Sequence, residues 1–171
     1  MGSTRRDAGR LSAADLVHVL DQHALFLRSE GGIRAQLAGR DLSGVELPGA
    51  RLQNANLGRS DLRSTNLMKA DLRGANLNHS LLDDANFEAA DLSGADLTGA
   101  TLTGANLVGA KLHGARLGWA DLSDANLSGA DLSDANVGEA IMVGADLTGA
   151  DLTDSNIEDA HTSPNAPPDH A

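Results

Sequence analysis

The chain has 171 residues, 41% of them hydrophobic but only 2% aromatic, no cysteine, and a formal net charge of −11. That length holds one domain with a core of small aliphatic side chains, and leaves no room for a second. Without cysteine there is no disulfide scaffold, and the acidic balance disfavours direct contact with nucleic acid.

Residues 1–10 read as a disordered N-terminus. Neither a signal peptide nor an apolar span of bilayer length is read, and the chain is expected to be soluble and cytoplasmic, with no membrane association. Residues 11–32 predict a helix and its stop. Ser12 is the N-cap, Asp15 suits the positive helix end, Leu11 can staple onto Leu16, and Gly31-Gly32 ends the segment. The stripe of Leu16, Leu20, Ala24 and Leu27, flanked by Val17 and Phe26, needs a surface to cover.

From Leu37 to Ile157 a leucine or close substitute recurs every five residues, giving twenty-five pentads over 35–160. Twenty-one of these positions are Leu, the exceptions being Phe87, Val137, Met142 and Ile157, and nineteen are preceded two places earlier by Ala. A helix would scatter leucines five apart around its cylinder, and a straight strand would send them to opposite faces. The chain must therefore turn once per pentad, with the first and third places inward and the second, Asn or Asp, outward. Glycine fills the fifth place in twelve pentads, as tight corners require, and Pro48 stands at a fourth place where a fixed φ suits a turn.

Units such as Ala95-Asp96-Leu97-Thr98-Gly99 and Ala105-Asn106-Leu107-Val108-Gly109 resemble the pentapeptide-repeat family. The resemblance implies an all-β solenoid, a right-handed quadrilateral β-helix with four pentads per coil and about six coils. The segment Asp21–Leu27 followed by Gly31-Gly32 resembles the helical N-terminal cap of some members, with Phe26 where they often carry Trp. Arg40, at an inward place, predicts an irregular first coil with its guanidinium turned outward. Residues 161–171, polar and Pro-rich, predict a disordered tail rather than a cap. An open last coil carrying Met142, Leu147, Leu152 and Ile157 would be covered by a second copy, giving a homodimer.

No nucleophile–base pair, phosphate loop or metal-ligand spacing is legible, so no catalytic residue, cofactor or metal is assigned. The six histidines, His18 and His23 among them, read as solvated. Charge is uneven: residues 35–116 hold nine acids and eight bases, residues 117–159 ten acids and no base. Asp121, Asp124, Asp131, Asp134, Asp146, Asp151 and Asp154 are expected to project outward as an acidic surface, which solubilises the chain and can attract a basic partner.

Aligned every twenty residues, as four pentads per coil implies, one corner departs from the rule. Its fourth places are Gly58, Asn78, Gly118 and Gly138, and its fifth places Arg59, His79, Trp119 and Glu139. This predicts that the φ > 0 residue moves back one place there, freeing the next for a large side chain. Just beyond, Leu81 and Ile141 replace the outward Asp or Asn. Arg59, His79, Leu81, Trp119, Glu139 and Ile141 should then share one edge and bind a partner. The reading is a non-enzymatic protein-interaction module whose partner the sequence does not identify. The alternative follows from the resemblance: in some pentapeptide-repeat proteins an acidic rod imitates DNA, occupies a type II topoisomerase (DNA gyrase) and protects from quinolones.

Overall fold

The computed structural model describes residues 9–162, so most of the disorder expected for 1–10 and 161–171 lies outside the described residues; where it can be compared the expectation fails, since Arg10 is bridged to Asp41 and His161 to Ile141. Helix α1 spans Ala13–Leu27. Ser12, in extended conformation, accepts the Asp15 N–H on Oγ at 3.1 Å and donates its hydroxyl to the Asp15 carboxylate at 2.7 Å. One of the four orphan donors of the helix start is thereby satisfied. The chain then reverses through Gly31 (φ 86°) and Gly32 (φ 77°), and Ile33 donates its N–H to the Gln22 carbonyl at 3.2 Å. A Cβ on Gly32 would lie 2.7 Å from Leu25 Cβ and 2.8 Å from the Phe26 nitrogen, so only glycine lets the returning chain pass this close to the helix.

Beyond α1 the expected β-helix solenoid is not what forms. Among the described residues there is no β-strand, no sheet and no barrel; the only other regular element is a short 3-10 helix, Ile157–Asp159. In place of strands there are isolated parallel bridges between residues twenty apart, such as Gln36 with Asn56, Asn56 with Asn76, and Asn66 with Asn86. The reason is the shortness of the pentad. Only its second residue is bridged and its fourth and fifth make the turn, so bridged residues are never consecutive. The return every twenty residues gives four-sided coils of four pentads.

What joins the coils is a closed set of backbone hydrogen bonds, visible in the second coil and its neighbours. The first-place Ala55 N–H closes the turn on Leu52 O at 3.0 Å. The second-place Asn56 donates back to Ala35 O at 2.9 Å; the third-place Leu57 and fifth-place Arg59 donate forward to Asn76 O and Asn78 O at 2.7 and 2.8 Å. The fourth-place N–H is claimed by the second-place side chain, as where Asn76 Oδ1 accepts from Asn78 at 3.0 Å and Asp91 Oδ1 from Ser93 at 3.1 Å. Asn and Asp stand outward because they complete this Asx turn as well as face water. Pro48 fits the same account: Glu46 replaces the Asx residue in its pentad, and Pro48 has no N–H to satisfy.

Inward places are buried from Ala35 and Leu37 to Met142 except in the first coil, where Val45 and Ala50 are half-buried and Arg40 is exposed, with Phe87 the one aromatic ring in the bore. Where Ser or Thr takes an inward place its hydroxyl finds a carbonyl: Ser60 donates to Leu57 O, Ser80 to Leu77 O and Thr65 to Leu42 O. Burial there costs no lost hydrogen bond. Arg40 is exposed, as its inward place and charge predict.

The first coil is covered from two directions. Gly9 accepts the Asp41 N–H at 3.1 Å with Arg10 bridged to Asp41, and α1 contributes Leu16 with the half-buried Val19 and Leu20 to the core, joined by the half-buried Leu11 just before it. Val17 and Phe26 remain exposed. The deepest helix residue is His23, which is fully buried rather than solvated, stacks on Phe26 at 5.8 Å, and accepts the Ala35 N–H on Nδ1 at 3.1 Å. An acceptor Nδ1 places the ring proton on Nε2, which is buried without a hydrogen-bond partner. Burial holds His23 below the ordinary imidazole value of 6.5; the Gln53 backbone pulls the other way, and Arg51 and Arg34 add to the lowering.

The neutral ring is therefore favoured in the folded chain. Below about pH 6.5 the unfolded chain takes up a proton that the folded one resists, so stability falls with acid and is unaffected above that value. Thermal melts should lose stability between pH 7 and 5. His23→Phe should be less stable at pH 7 and lose most of that slope; a slope unchanged in the variant would remove His23 as its source.

Candidate partner-binding surface

Take the sides in order from the pentads that begin at Ala35, Arg40, Val45 and Ala50. The corner leaving the first side carries Gly39, Arg59, His79, Gly99, Trp119 and Glu139 in successive coils, joined by N–H bonds such as Trp119 to Gly138 O at 3.1 Å. Leu81 and Ile141 open the second side, bridged through Thr101 and Asp121. All six expected partner-binding residues thus lie along one edge, but in two groups. Trp119, Glu139 and Ile141 lie within neighbouring coils. His79 and Leu81 lie two coils from Trp119 and Arg59 three, at about 4.8 Å per coil, with Gly99 and Thr101 between.

The expected shift of φ > 0 to the fourth place does not occur. Arg59, His79, Trp119 and Glu139 themselves have φ of 58°, 53°, 56° and 59°. The fifth-place N–H must reach the next coil, and that bond fixes the left-handed residue at the fifth place whatever its side chain. The fourth-place glycines serve stacking instead: a Cβ on Gly58 would lie 2.6 Å from Asn78 Oδ1, and one on Gly138 would lie 3.0 Å from Asn156 Nδ2. Gly99 has a similar task, because a Cβ there would meet the His79 ring at 2.6 Å. His79 lies over that glycine, as Asp84 lies over Gly104. Trp119 has no such floor, since the fifth place one coil on is Glu139, and it stands 70% exposed.

Around it lies a groove of about 350 Å³ lined by Gly118, Trp119, Asn136, Gly138, Glu139 and Asp159. Glu139 Oε2 is 3.2 Å from His161 Nε2. Leu81 and Ile141 are 39% and 41% exposed. Neither can supply the side-chain oxygen that caps a fourth-place N–H, so they are not there to build the turn.

The acidic residues do not share one face. Asp121 and Asp124 lie on the second side, Asp146 on the third, and Asp131, Asp134, Asp151 and Asp154 on the fourth, encircling the C-terminal coils. The spacing along the chain does not reveal that the second side is acidic over more of its length: Asp41, Asp61, Asp83, Asp84, Asp121 and Asp124 face two bases, Arg40 and Arg63, both in the first two coils. Arg63 forks onto Asp61 at 2.9 and 2.6 Å. Thr101 and Thr103 interrupt this row in the fourth coil. The fourth side balances its carboxylates with Arg51, Arg73 and Lys111, and Arg73 forks onto Asp71 at 2.8 and 2.6 Å. Turn donors keep several carboxylates below their ordinary range: the Ser43 hydroxyl and N–H for Asp41, Arg63 for Asp61, Arg73 for Asp71, and Thr148 and Thr153 for Asp146 and Asp151. Among the described residues no cluster of His, Asp and Glu could hold a metal ion, and no helix is long and apolar enough to cross a membrane.

A left-handed conformation costs a residue with a Cβ about 1 kcal/mol relative to glycine. Trp119→Gly should therefore stabilise the chain by about 1 kcal/mol in denaturant melts, while removing the most exposed large side chain. A loss of stability would show that the indole packs for structural reasons.

The family model described as pentapeptide repeats matches eight copies, in overlapping segments from residue 33 to 161. No curated protein matches the chain. Among solved structures, alr5209, a pentapeptide repeat protein from Nostoc PCC 7120, is 45% identical over 44% of this chain and 62% of its own, with a TM-score of 0.43. A pentapeptide repeat protein of the Arabidopsis thaliana thylakoid lumen is 28% identical over 73% of this chain and 63% of its own, with a TM-score of 0.35. This chain therefore spans less than two thirds of either protein's length. HetL, a pentapeptide repeat protein involved in heterocyst differentiation regulation in Nostoc, is 31% identical over 81% of both chains, with a TM-score of 0.30.

Proposed function

The chain belongs to the pentapeptide-repeat family, and from that premise we propose that it is a non-enzymatic binding protein whose acidic surface occupies the DNA site of a type II topoisomerase such as DNA gyrase. Protection from quinolones is the consequence. The observation that carries this reading is the second side, where six aspartates face two arginines, Arg40 at its first pentad and Arg63 already paired with Asp61. A row of fixed carboxylates on a stiff backbone attracts a cationic DNA-binding groove and accelerates encounter, with strong salt dependence. The second reading, contact with another protein through the first corner, is favoured by the exposed Trp119 above its groove. The last described coil also leaves Leu147, Leu152 and Ile157 half-buried, a surface that a second copy of the chain would cover.

Two measurements test these readings. The protein should inhibit supercoiling by purified gyrase. Replacing Asp83, Asp84, Asp121 and Asp124 by Asn should weaken that inhibition more than replacing Asp131, Asp134, Asp151 and Asp154. No inhibition by the unmodified chain removes the topoisomerase reading, and equal losses reduce it to general charge. Light scattering should give twice the 17.6 kDa of one chain; a monomer mass at all concentrations removes the homodimer.

A further inference from the structure

The groove beside Trp119 has a composition unlike the rest of the surface. Its lining combines Gly118 and Gly138, which contribute no side chains, with the indole, the Asn136 amide and two carboxylates, Glu139 and Asp159. The base carried by the same pentad, Arg116, is turned away toward the preceding coil, with Nη1 3.8 Å from Asp96. His161 Nε2, 3.2 Å from Glu139 Oε2, holds that carboxylate at the rim. The groove also opens where the acidic second side begins, so a cationic segment lying along Asp121 and Asp124 would meet it.

We propose that this groove is the receptor for an arginine side chain on a basic segment of the partner protein. An indole face and carboxylates are the two surfaces a guanidinium satisfies together: its plane stacks on the aromatic ring while its edge donates paired N–H bonds to a carboxylate. Lysine, a strongly hydrated point charge, uses the same site less well. The carboxylates repel a phosphate backbone, so the occupant is protein and not nucleic acid. The inference rests on the preceding reading only in taking the partner to be basic, and it adds which residue type is read and where.

Trp119 is the only tryptophan in the chain, so its emission reports on the groove directly. The full chain is titrated at low salt with a peptide Ac-Gly-Arg-Gly-Arg-Gly-amide, with its lysine analogue, and with its citrulline analogue, which keeps the shape and removes the charge. The arginine peptide should give a saturable change in emission. The citrulline peptide, and the arginine peptide on Glu139→Gln or Asp159→Asn, should bind roughly tenfold more weakly. Glu88→Gln, an exposed carboxylate on the third side with no part in either reading, should bind as the unmodified chain does. Calorimetry on Trp119→Leu should show the same loss as the carboxylate variants, and thermal melts confirm that each variant folds.

No saturable change overturns the proposal. So does equal weakening by Glu88→Gln and Glu139→Gln, which would mean attraction to bulk charge, or equal binding of the citrulline peptide. Gyrase inhibition without peptide binding sinks this inference and leaves the topoisomerase reading standing. Peptide binding without gyrase inhibition does the reverse.

Discussion

The structure depends on one constraint: in a pentad with a coil on either side and Asn or Asp at its second place, every backbone N–H has a single prescribed partner. The first-place N–H closes a turn, the second-place N–H bonds to the preceding coil, those of the third and fifth places bond to the following coil, and the fourth-place N–H turns to the pentad's own second-place side chain. An unpaired buried backbone group costs about as much as a lost hydrogen bond, so this pattern is what repeats when the sequence repeats. Leu and Ala fill the bore because two places must face in, and Asn or Asp follows because the fourth N–H is otherwise orphaned. Geometry is imposed locally, pentad by pentad, which is why the chain needs no strand to hold its coils together.

The same constraint leaves few places free to vary. Away from the end coils, side chains at the second, fourth and fifth places are the ones that reach solvent, and the second is already half-committed to the turn. Stacking commits others: a glycine above makes room for His79, Asp84 or Asn54 below. A large residue at a fifth place with another large residue one coil on, as with Trp119 and Glu139, satisfies neither rule. It bears a left-handed backbone and gains no floor to lie on. Such a residue contributes least to the fold, and its side chain is what remains to explain it.

The sequence made most of this legible because period-five spacing and a known corner chemistry are local signals. The inward places, the Ser12 cap, the Gly31-Gly32 reversal and the deviant corner follow from residues read a few at a time. Three features depended on what lies twenty residues away. Strands are absent because only one residue per pentad pairs with its neighbour coil, a count that the spacing alone does not give. The left-handed residue stays at the fifth place because its N–H answers to the next coil, so Gly118 does not release Trp119 from strain. His23 resembles any polar helix residue until the first coil presents the Ala35 N–H to its Nδ1. The grouping of acids had the same blind spot, since Asp41, Asp83 and Asp121 are distant in sequence and share a side only through the coil period.

Charge placement also bears on mechanism. Stacked carboxylates about 4.8 Å apart repel, and the chain relieves this differently on different sides. On the third, Asn66, Asn86, Asn106 and Asn126 take the second place, Asn106 and Asn86 joining in a side-chain ladder at 3.1 Å, so that only three acids, Glu46, Glu88 and Asp146, stand along it with Lys69. On the fourth, Arg51, Arg73 and Lys111 are interleaved among the acids. The second side has neither remedy along most of its length, yet Ser43 and Arg63 hold its first carboxylates ionised. Solubility alone would be served by any distribution of the same charges. Leaving one side unrelieved, beside the one corner that exposes an indole, concentrates attraction for cations along a single line, and a basic partner is what converts that stored repulsion into binding.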